Sequence, residues 1–262
     1  MTNEIVYVVG DKFAEFGKNE QVVTIGDLER QIEAGSDGLM SAGDCAFVAG
    51  QGLQPERVTR VREALSAMGY AHCAESLRLD MAADEAMTHK RSPQNIMITV
   101  PRQVGEKRFA ATIQLNDLCG EMADHMTGQH IQGVVLIEAA RQMFLAVVGK
   151  FLLDPARSAD HYFVVNRLSV DYLNFAFPLP LDIDFTVTDQ GVDGAGNLSI
   201  QAHIEIWQAG TKVSDVTARF AIYRRSMMRM VESIKAKDVL DRSDKLLAAK
   251  EAAATTDRHV VG

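Results

Sequence analysis

Cysteine is sparse in this chain. Cys45, Cys73 and Cys119 are the three it has, far apart and without a CxxC pair. That excludes a disulfide-stapled scaffold and suits a reduced, cytoplasmic protein. Basic charge is also in deficit: 27 Lys and Arg face 35 Asp and Glu, a formal net charge of -8. No basic stripe with interleaved aromatics reverses that sign, so nucleic acid is not an expected partner. The opening stretch MTNEIVYVVGDKF lacks a basic region ahead of a long apolar run, so no secretory leader is expected. The histidines at 72, 89, 125, 130, 161, 203 and 259 show neither HxxxH nor HExxH spacing. No metal site is expected from them.

An uninterrupted membrane-length apolar run is missing as well. The longest candidate, Gly133 to Leu153, contains Glu138, Arg141, Gln142 and Lys150. Charges at a bilayer centre cost about 2.5–3.5 kcal/mol each, so no membrane span is expected. A helix apolar on nearly every side in a water-soluble protein is one wrapped by other structure. This segment is therefore the expected central core helix.

What is present is ordinary in bulk. The 262 residues, 47% hydrophobic and 24% charged, can form one large domain or two small ones. From Tyr162 onward apolar and polar residues alternate with period two. Runs through Leu168–Tyr172, Leu181–Thr188, Leu198–Ile206 and Val216–Ile222 read as half-buried antiparallel strands. DQGVDGAGN, residues 189–197, is dense in turn formers and joins two of them as a hairpin. Upstream, Ile96–Val100 and Phe109–Leu115 read as shorter strands around PRQVGEKR. One buried helix and about six antiparallel strands fit a sheet curled around the helix, an α+β hotdog fold. The sheet edges and the helix's remaining apolar face favour a homodimer.

Residues 1–84 have a different pattern. EIVYVVG and DCAFVAG are short apolar strands ending in glycine, while TIGDLERQIEAG and PERVTRVREALSAMGY have helical spacing. The order predicts a small α/β unit with a partly parallel sheet. Gly10 opens no GxGxxG and GQGLQP leads to no GK[ST], so docking or dimerisation outweighs nucleotide binding. The expected division is a small α/β domain over 1–84, a hotdog domain over 85–225, and an exposed helix with a frayed tail over 226–262.

DHMTGQHIQGVVLIEAARQM, residues 124–143, concentrates the chemistry. Glu138, Arg141 and Gln142 stand at i, i+3 and i+4 and share one helix face. One reading is an intrahelical Glu138–Arg141 pair satisfied by the surrounding sheet. Desolvation makes such a pair a poor stabiliser, so a working site is the alternative. Gly133 stands where the helix begins, so the amides of Gly133 and Val134 point outward with the positive end of the dipole behind them. An acyl carbonyl laid there is polarised and its oxyanion stabilised. His125 and His130 lie in the loop feeding this point, and Asp124 can orient His125.

These residues resemble the signature of the A-factor biosynthesis (AfsA-type) hotdog family, in which a histidine, a Pro-Gly turn and an LxEAxRQ helix recur. His130, Gly133, Leu136, Glu138, Ala139, Arg141 and Gln142 match. THKRSPQNIMIT and the following PR (His89, Lys90, Asn95, Pro101, Arg102) resemble the strand pair preceding that helix. The resemblance covers roughly residues 87–223. Two departures stand out: Gln132 replaces the usual proline, and one hotdog unit is readable where better-known members carry two. A homodimer restores the double arrangement.

The resemblance implies an enzyme of γ-butyrolactone biosynthesis, which esterifies dihydroxyacetone phosphate with a β-ketoacyl group from acyl carrier protein. Coenzyme A thioesters are the related donors, and no resident cofactor is expected. That chemistry needs a base, oxyanion donors and cations for a phosphate. Glu138, His130 and His125 are the catalytic candidates. Gly133, Val134, Arg141, Gln142 and Arg102 are the substrate-binding ones. With water as acceptor the same site is a thioesterase, and with a His–Glu acid–base pair a dehydratase. A non-catalytic acyl-binding subunit is the reading outside enzymology.

Overall fold

The computed structural model describes residues 4–35, 45–124, 126–153, 160–194 and 196–260. The first strand, β1 (Glu4–Val9), pairs in parallel with β2 (Val22–Thr24) on one side and β3 (Cys45–Ala49) on the other. Helix α1 (Ile25–Glu33) starts at Thr24, whose hydroxyl accepts from the Asp27 amide. Helix α2 (Pro55–Ala67) begins with Pro55, whose missing N–H costs nothing in a first turn. Val8, Ile25, Leu28, Phe47, Val61 and Leu65 form the core between sheet and helices. The parallel α/β unit expected from the strand–helix alternation is present.

A short helix α3 (Glu85–Thr88), strand β4 (Arg102–Gly105) and strand β5 (Arg108–Ile113) lead to the long helix α4 (Gly133–Val147). A π-helical turn, Val148–Leu152, extends α4. Then come β6 (His161–Tyr172), β7 (Leu181–Val192), β8 (Leu198–Gln208) and β9 (Thr211–Arg224), and finally α5 (Arg225–Val260). The second sheet is antiparallel, in the order β4-β5-β7-β8-β9-β6. Its inward residues, including Ile183, Phe185, Ile204, Val216 and Phe220, are buried with Met143, Phe144 and Val147 of α4. Phe144 stacks on Phe220 at 4.3 Å between ring centroids. This is the sheet wrapped on a helix that the alternation predicts.

Two expectations need correction. Ile96–Val100 makes isolated bridges, not a strand, and β4 instead lies inside PRQVGEKR, the stretch between the two expected strands. Pro101 cannot donate to a ladder, so regular pairing begins after it, at Arg102 with Ala110. The backbone of α5 stays helical to Val260, where a frayed tail was expected.

The two sheets are joined through a buried polar seam. Gln51, 3% exposed, donates to the carbonyls of Ile113 (2.9 Å) and Leu179 (3.2 Å) and accepts from the Leu115 amide (2.8 Å). Asp117 accepts from the Asp11 amide at 2.9 Å through one oxygen, while its Oδ1 is buried without a hydrogen-bond partner. A Cβ on Gly10 would lie 2.2 Å from that oxygen and 2.1 Å from the Gly52 carbonyl oxygen. Gly52 also has φ +81, so glycine is required at both positions. The crevice beyond β1 and β3, where parallel sheets usually take ligands, is thus filled by a carboxylate. Asp11 Oδ1 likewise occupies the start of α1, accepting from the Gly26 amide at 2.8 Å. These internal anions stand where a nucleotide's phosphates would go.

The widely spaced Cys45 and Cys73 meet, Sγ to Sγ 3.3 Å, both buried and free. Burial, then the Cys73 thiol, pushes Cys45 up to about 12, so the Cys45 thiol stays protonated.

Burial also pushes the Asp117 carboxyl up to about 6 from 3.8, against the pull of the Asp11 amide. The folded chain therefore holds this proton more tightly than the unfolded one, and its stability falls as pH rises through that window. Asp117→Asn keeps the acceptor and removes the charge. It is expected to add about 1–2 kcal/mol at pH 7.5 and little at pH 4. Urea unfolding at the two pH values checks this, and an unchanged pH slope would refute it.

Candidate functional site

Helix α4 begins without a side-chain cap. Gln132 at the N-cap position donates its amide to the Asp124 carbonyl at 2.8 Å instead of turning toward the helix. The first-turn amides of Gly133 and Val134 are left facing outward with the helix dipole behind them. They open at a cavity of about 540 Å3, lined by His130, Gly133, Leu136, Tyr172 and Phe175 among others. Ile131 fixes the entry of the helix, since its amide donates to the Ala176 carbonyl at 2.8 Å. A Cβ on Gly133 would stand 2.7 Å from the Tyr172 ring, which explains glycine there. His130 shares a hydrogen bond of 3.2 Å with the Thr127 hydroxyl and meets the Phe175 ring edge-on at 5.0 Å. His125, the other expected loop histidine, lies outside the described residues.

Glu138 is the centre of a separate network. Arg141 grips it with two parallel hydrogen bonds, Nε at 2.7 Å and Nη2 at 2.8 Å. Lys90 reaches the same carboxylate at 2.9 Å and Glu121 at 2.5 Å. Gln142, fully buried, donates to Glu138 at 3.0 Å and to the Asn95 carbonyl at 2.9 Å, and accepts from the Met97 amide at 2.9 Å. Asn95 in turn accepts from the Gly120 amide at 3.0 Å. Burial works to raise the Glu138 carboxyl, but Arg141, Lys90 and Gln142 outweigh it and hold it down to about 2. Lys90 is held above its ordinary value by Glu121 and Glu138, although burial opposes them. Glu138 is therefore a fixed anion that organises two cations, which makes it a weak proton acceptor.

The expected site residues thus fall into two groups. Glu138, Arg141 and Gln142 come together, and so do His130, Gly133 and Val134. At about 100° per residue, Glu138 lies nearly opposite Gly133 and Leu136 around α4. The chain does not place Glu138 beside His130. Arg102 belongs to neither group: it is exposed at the start of the edge strand β4, and its charge acts on Asp184 of β7. Lys90, Glu121 and Asn95 were not anticipated as site residues. The signal was the THKRSPQN stretch, which touches the EAARQ helix through Lys90 and Asn95.

The antiparallel sheet also gathers His203, Glu205 and Asp215 with their ligand atoms within 4.8 Å of one another, a set that no sequence spacing revealed. Lys212 already bridges Glu205 and Asp215, and His203 meets Asp215 at 2.6 Å. The group is saturated as an ion-pair cluster. Among the described residues no helix is long and apolar enough to cross a membrane.

With this geometry in place, the comparison with known families is direct. A model of the A-factor biosynthesis hotdog domain matches residues 74–223. The chain belongs to this family. Its match contains α3, α4 and the whole antiparallel sheet, together with both clusters on α4. No curated protein sequence matches the chain. Similar solved structures include a variant of a Pseudomonas aeruginosa thioesterase: 10% identity, 66% of this chain and 96% of that one, TM-score 0.37. A variant of a Staphylococcus aureus thioesterase has 10% identity over 48% of this chain and 92% of that one, TM-score 0.37. A hypothetical thioesterase with coenzyme A from Streptococcus pneumoniae has 16% identity over 47% and 84%, TM-score 0.33.

Removing the central anion should be costly. Glu138→Gln leaves Lys90 and Arg141 facing each other, and a loss of about 2–4 kcal/mol is expected in denaturant unfolding. The wild type gains from the Glu138 anion above pH 4.5, and that gain disappears as pH falls toward about 2. The variant should lack this part of the acid-unfolding slope. Equal stability and an equal slope would show that the network contributes nothing.

Proposed function

We propose that this chain is an acyl-thioester-acting hotdog enzyme. It takes a (β-keto)acyl group from acyl carrier protein or coenzyme A to a hydroxyl acceptor such as dihydroxyacetone phosphate. The observation that carries the reading is the uncapped start of α4 at Gly133, opening on an apolar cavity that holds His130. A thioester carbonyl seated there meets two outward amides, and the negative charge that develops on its oxygen is stabilised. His130, half-buried in the wall of that cavity, takes the acceptor's proton in this reading. Arg141 and Lys90, held in position by Glu138, supply positive charge for a phosphate. Arg141 stands about 12 Å along the helix axis from Gly133, a span suited to a substrate with an extended arm.

A homodimer belongs to the same proposal. Strand β6 is an edge of the sheet, and Val134, Leu168, Tyr172, Leu173 and Phe175 are exposed on it or beside it. A second protomer covering them would close the Gly133 cavity and exclude water. Work in the cytoplasm accords with three free cysteines.

The second reading is a thioesterase, in which water replaces the acceptor at the same amides. Dehydration by a His130–Glu138 pair is disfavoured, because the two side chains occupy opposite sides of α4. Mass spectrometry of β-ketoacyl thioesters, with and without dihydroxyacetone phosphate, tests the proposal. A phosphorylated ester formed only with the acceptor is the expected product. Free acid formed regardless of acceptor would make the protein a thioesterase, and untouched thioesters would make it a binding subunit. Gly133→Ala forces the Tyr172 ring to shift and disturbs the amides. It should lower turnover about a hundredfold, with little change in melting temperature because Tyr172 is exposed.

A further inference from the structure

A second cavity lies along the face of α4 that carries Glu138 and Arg141. Leu145 and Gly149 continue that face, seven and eleven residues after Glu138. The cavity measures about 530 Å3, and its apolar walls are Met87 of α3, Leu145, Leu153 and Phe163 of β6. That volume is typical of small-molecule sites, which run from about 300 to 1,000 Å3. Gly149 forms part of the wall within the π-helical turn, and a Cβ there would meet nothing within 4 Å. Turns of this kind recur at functional sites.

The rim of the cavity carries two cations, Lys150 and Arg225, beside the His89 imidazole. Lys150 donates to the Pro101 carbonyl at 3.1 Å and Arg225 to the His161 carbonyl at 3.3 Å. Each is thereby fixed in place while keeping donors to spare. His89 caps α3 in the left-handed conformation, φ 54, and its ring meets Phe163 edge-on at 5.2 Å. Partial burial, then the charges of Arg141 and Arg225, lowers its imidazole from the ordinary value. Among the described residues Asp84 is the one carboxylate in this wall, and it is engaged by the Met87 amide at 2.6 Å.

We propose that this cavity binds the unbranched acyl tail of an amphiphile whose anionic end, carboxylate or phosphate, rests on His89, Lys150 and Arg225. Apolar walls alone accept any hydrocarbon. The cationic rim selects those that end in an anion, and the open space at Gly149 leaves room for the chain. The identity of the tail rests on the acyl-thioester reading, whereas the binding itself is measured without turnover.

Isothermal titration calorimetry of the full chain with decyl phosphate, decanoate and decanol, each below its micelle concentration, is the test. Both anions should bind, and decanol at least about tenfold more weakly. Arg225→Gln should weaken the anions about tenfold and leave decanol unchanged. Gly149→Phe fills the cavity and should weaken all three probes. Ala86→Trp, at an exposed lip of the same wall, gives the same check should the glycine variant not fold. Tighter binding of decyl phosphate identifies a phosphorylated amphiphile, and tighter binding of decanoate a free acid; either supports the proposal. It is overturned by absent binding to the wild type, or by undiminished binding in the folded cavity-filling variants. Retained binding of decyl phosphate alongside inert thioesters would count against the enzyme reading and leave the cavity assignment standing.

Discussion

A carboxylate in the middle of a core helix must be met by positive charge, and that constraint organises this molecule. Glu138 is ionised only because Arg141, Lys90 and Gln142 surround it. Lys90 comes from the segment after α3, so the burial of the helix and the docking of that segment stabilise each other. Gln142 extends the demand to Asn95 and Met97, and Asn95 passes it to Gly120. One buried charge thus fixes the loops on one side of α4. A hydrophobic isostere would pack as well and would hold none of them.

The same helix presents two chemically different surfaces. Its start offers unpaired amides to an apolar cavity, its middle carries the Glu138–Arg141 pair, and its far end borders a second cavity at Leu145 and Gly149. The sheet supplies the rest of the burial, so Gln142 and most of Glu138 lie away from water, where each interaction counts for more. Membership of the A-factor biosynthesis hotdog family follows from residues distributed over this whole arrangement, not from the helix alone.

Much of the fold is legible in the sequence because burial there has a period. Leu181, Ile183, Phe185 and Val187 alternate with polar residues, and β7 lies over them. The helix at Gly133 is signalled by an apolar run that charges interrupt on one face only. Strand β4 escaped because RQVG is exposed throughout and carries no alternation of apolar and polar residues, and its pairing partner Ala110 is not encoded locally. The contact of Lys90 with Glu138 escaped for the same reason: it spans two segments whose register only the tertiary fold sets. The separation of Gly133 from Glu138 differs in kind, since five residues of helical rotation were enough to show that they diverge.

Gln51 and Asp117 place a limit on how small this protein can be made. The glutamine side chain satisfies the Ile113 and Leu179 carbonyls and the Leu115 amide, all belonging to the antiparallel unit or its connections. A truncation that begins after the parallel sheet strips those three backbone groups of their partner, at about 1–3 kcal/mol for each that stays buried. It also exposes the apolar surroundings of Phe13 and Phe16, which pack in the same core as α4. Gln51, Phe13 and Phe16 thus supply part of the burial around α4 and the antiparallel sheet, although all three lie upstream of the residues that match the family.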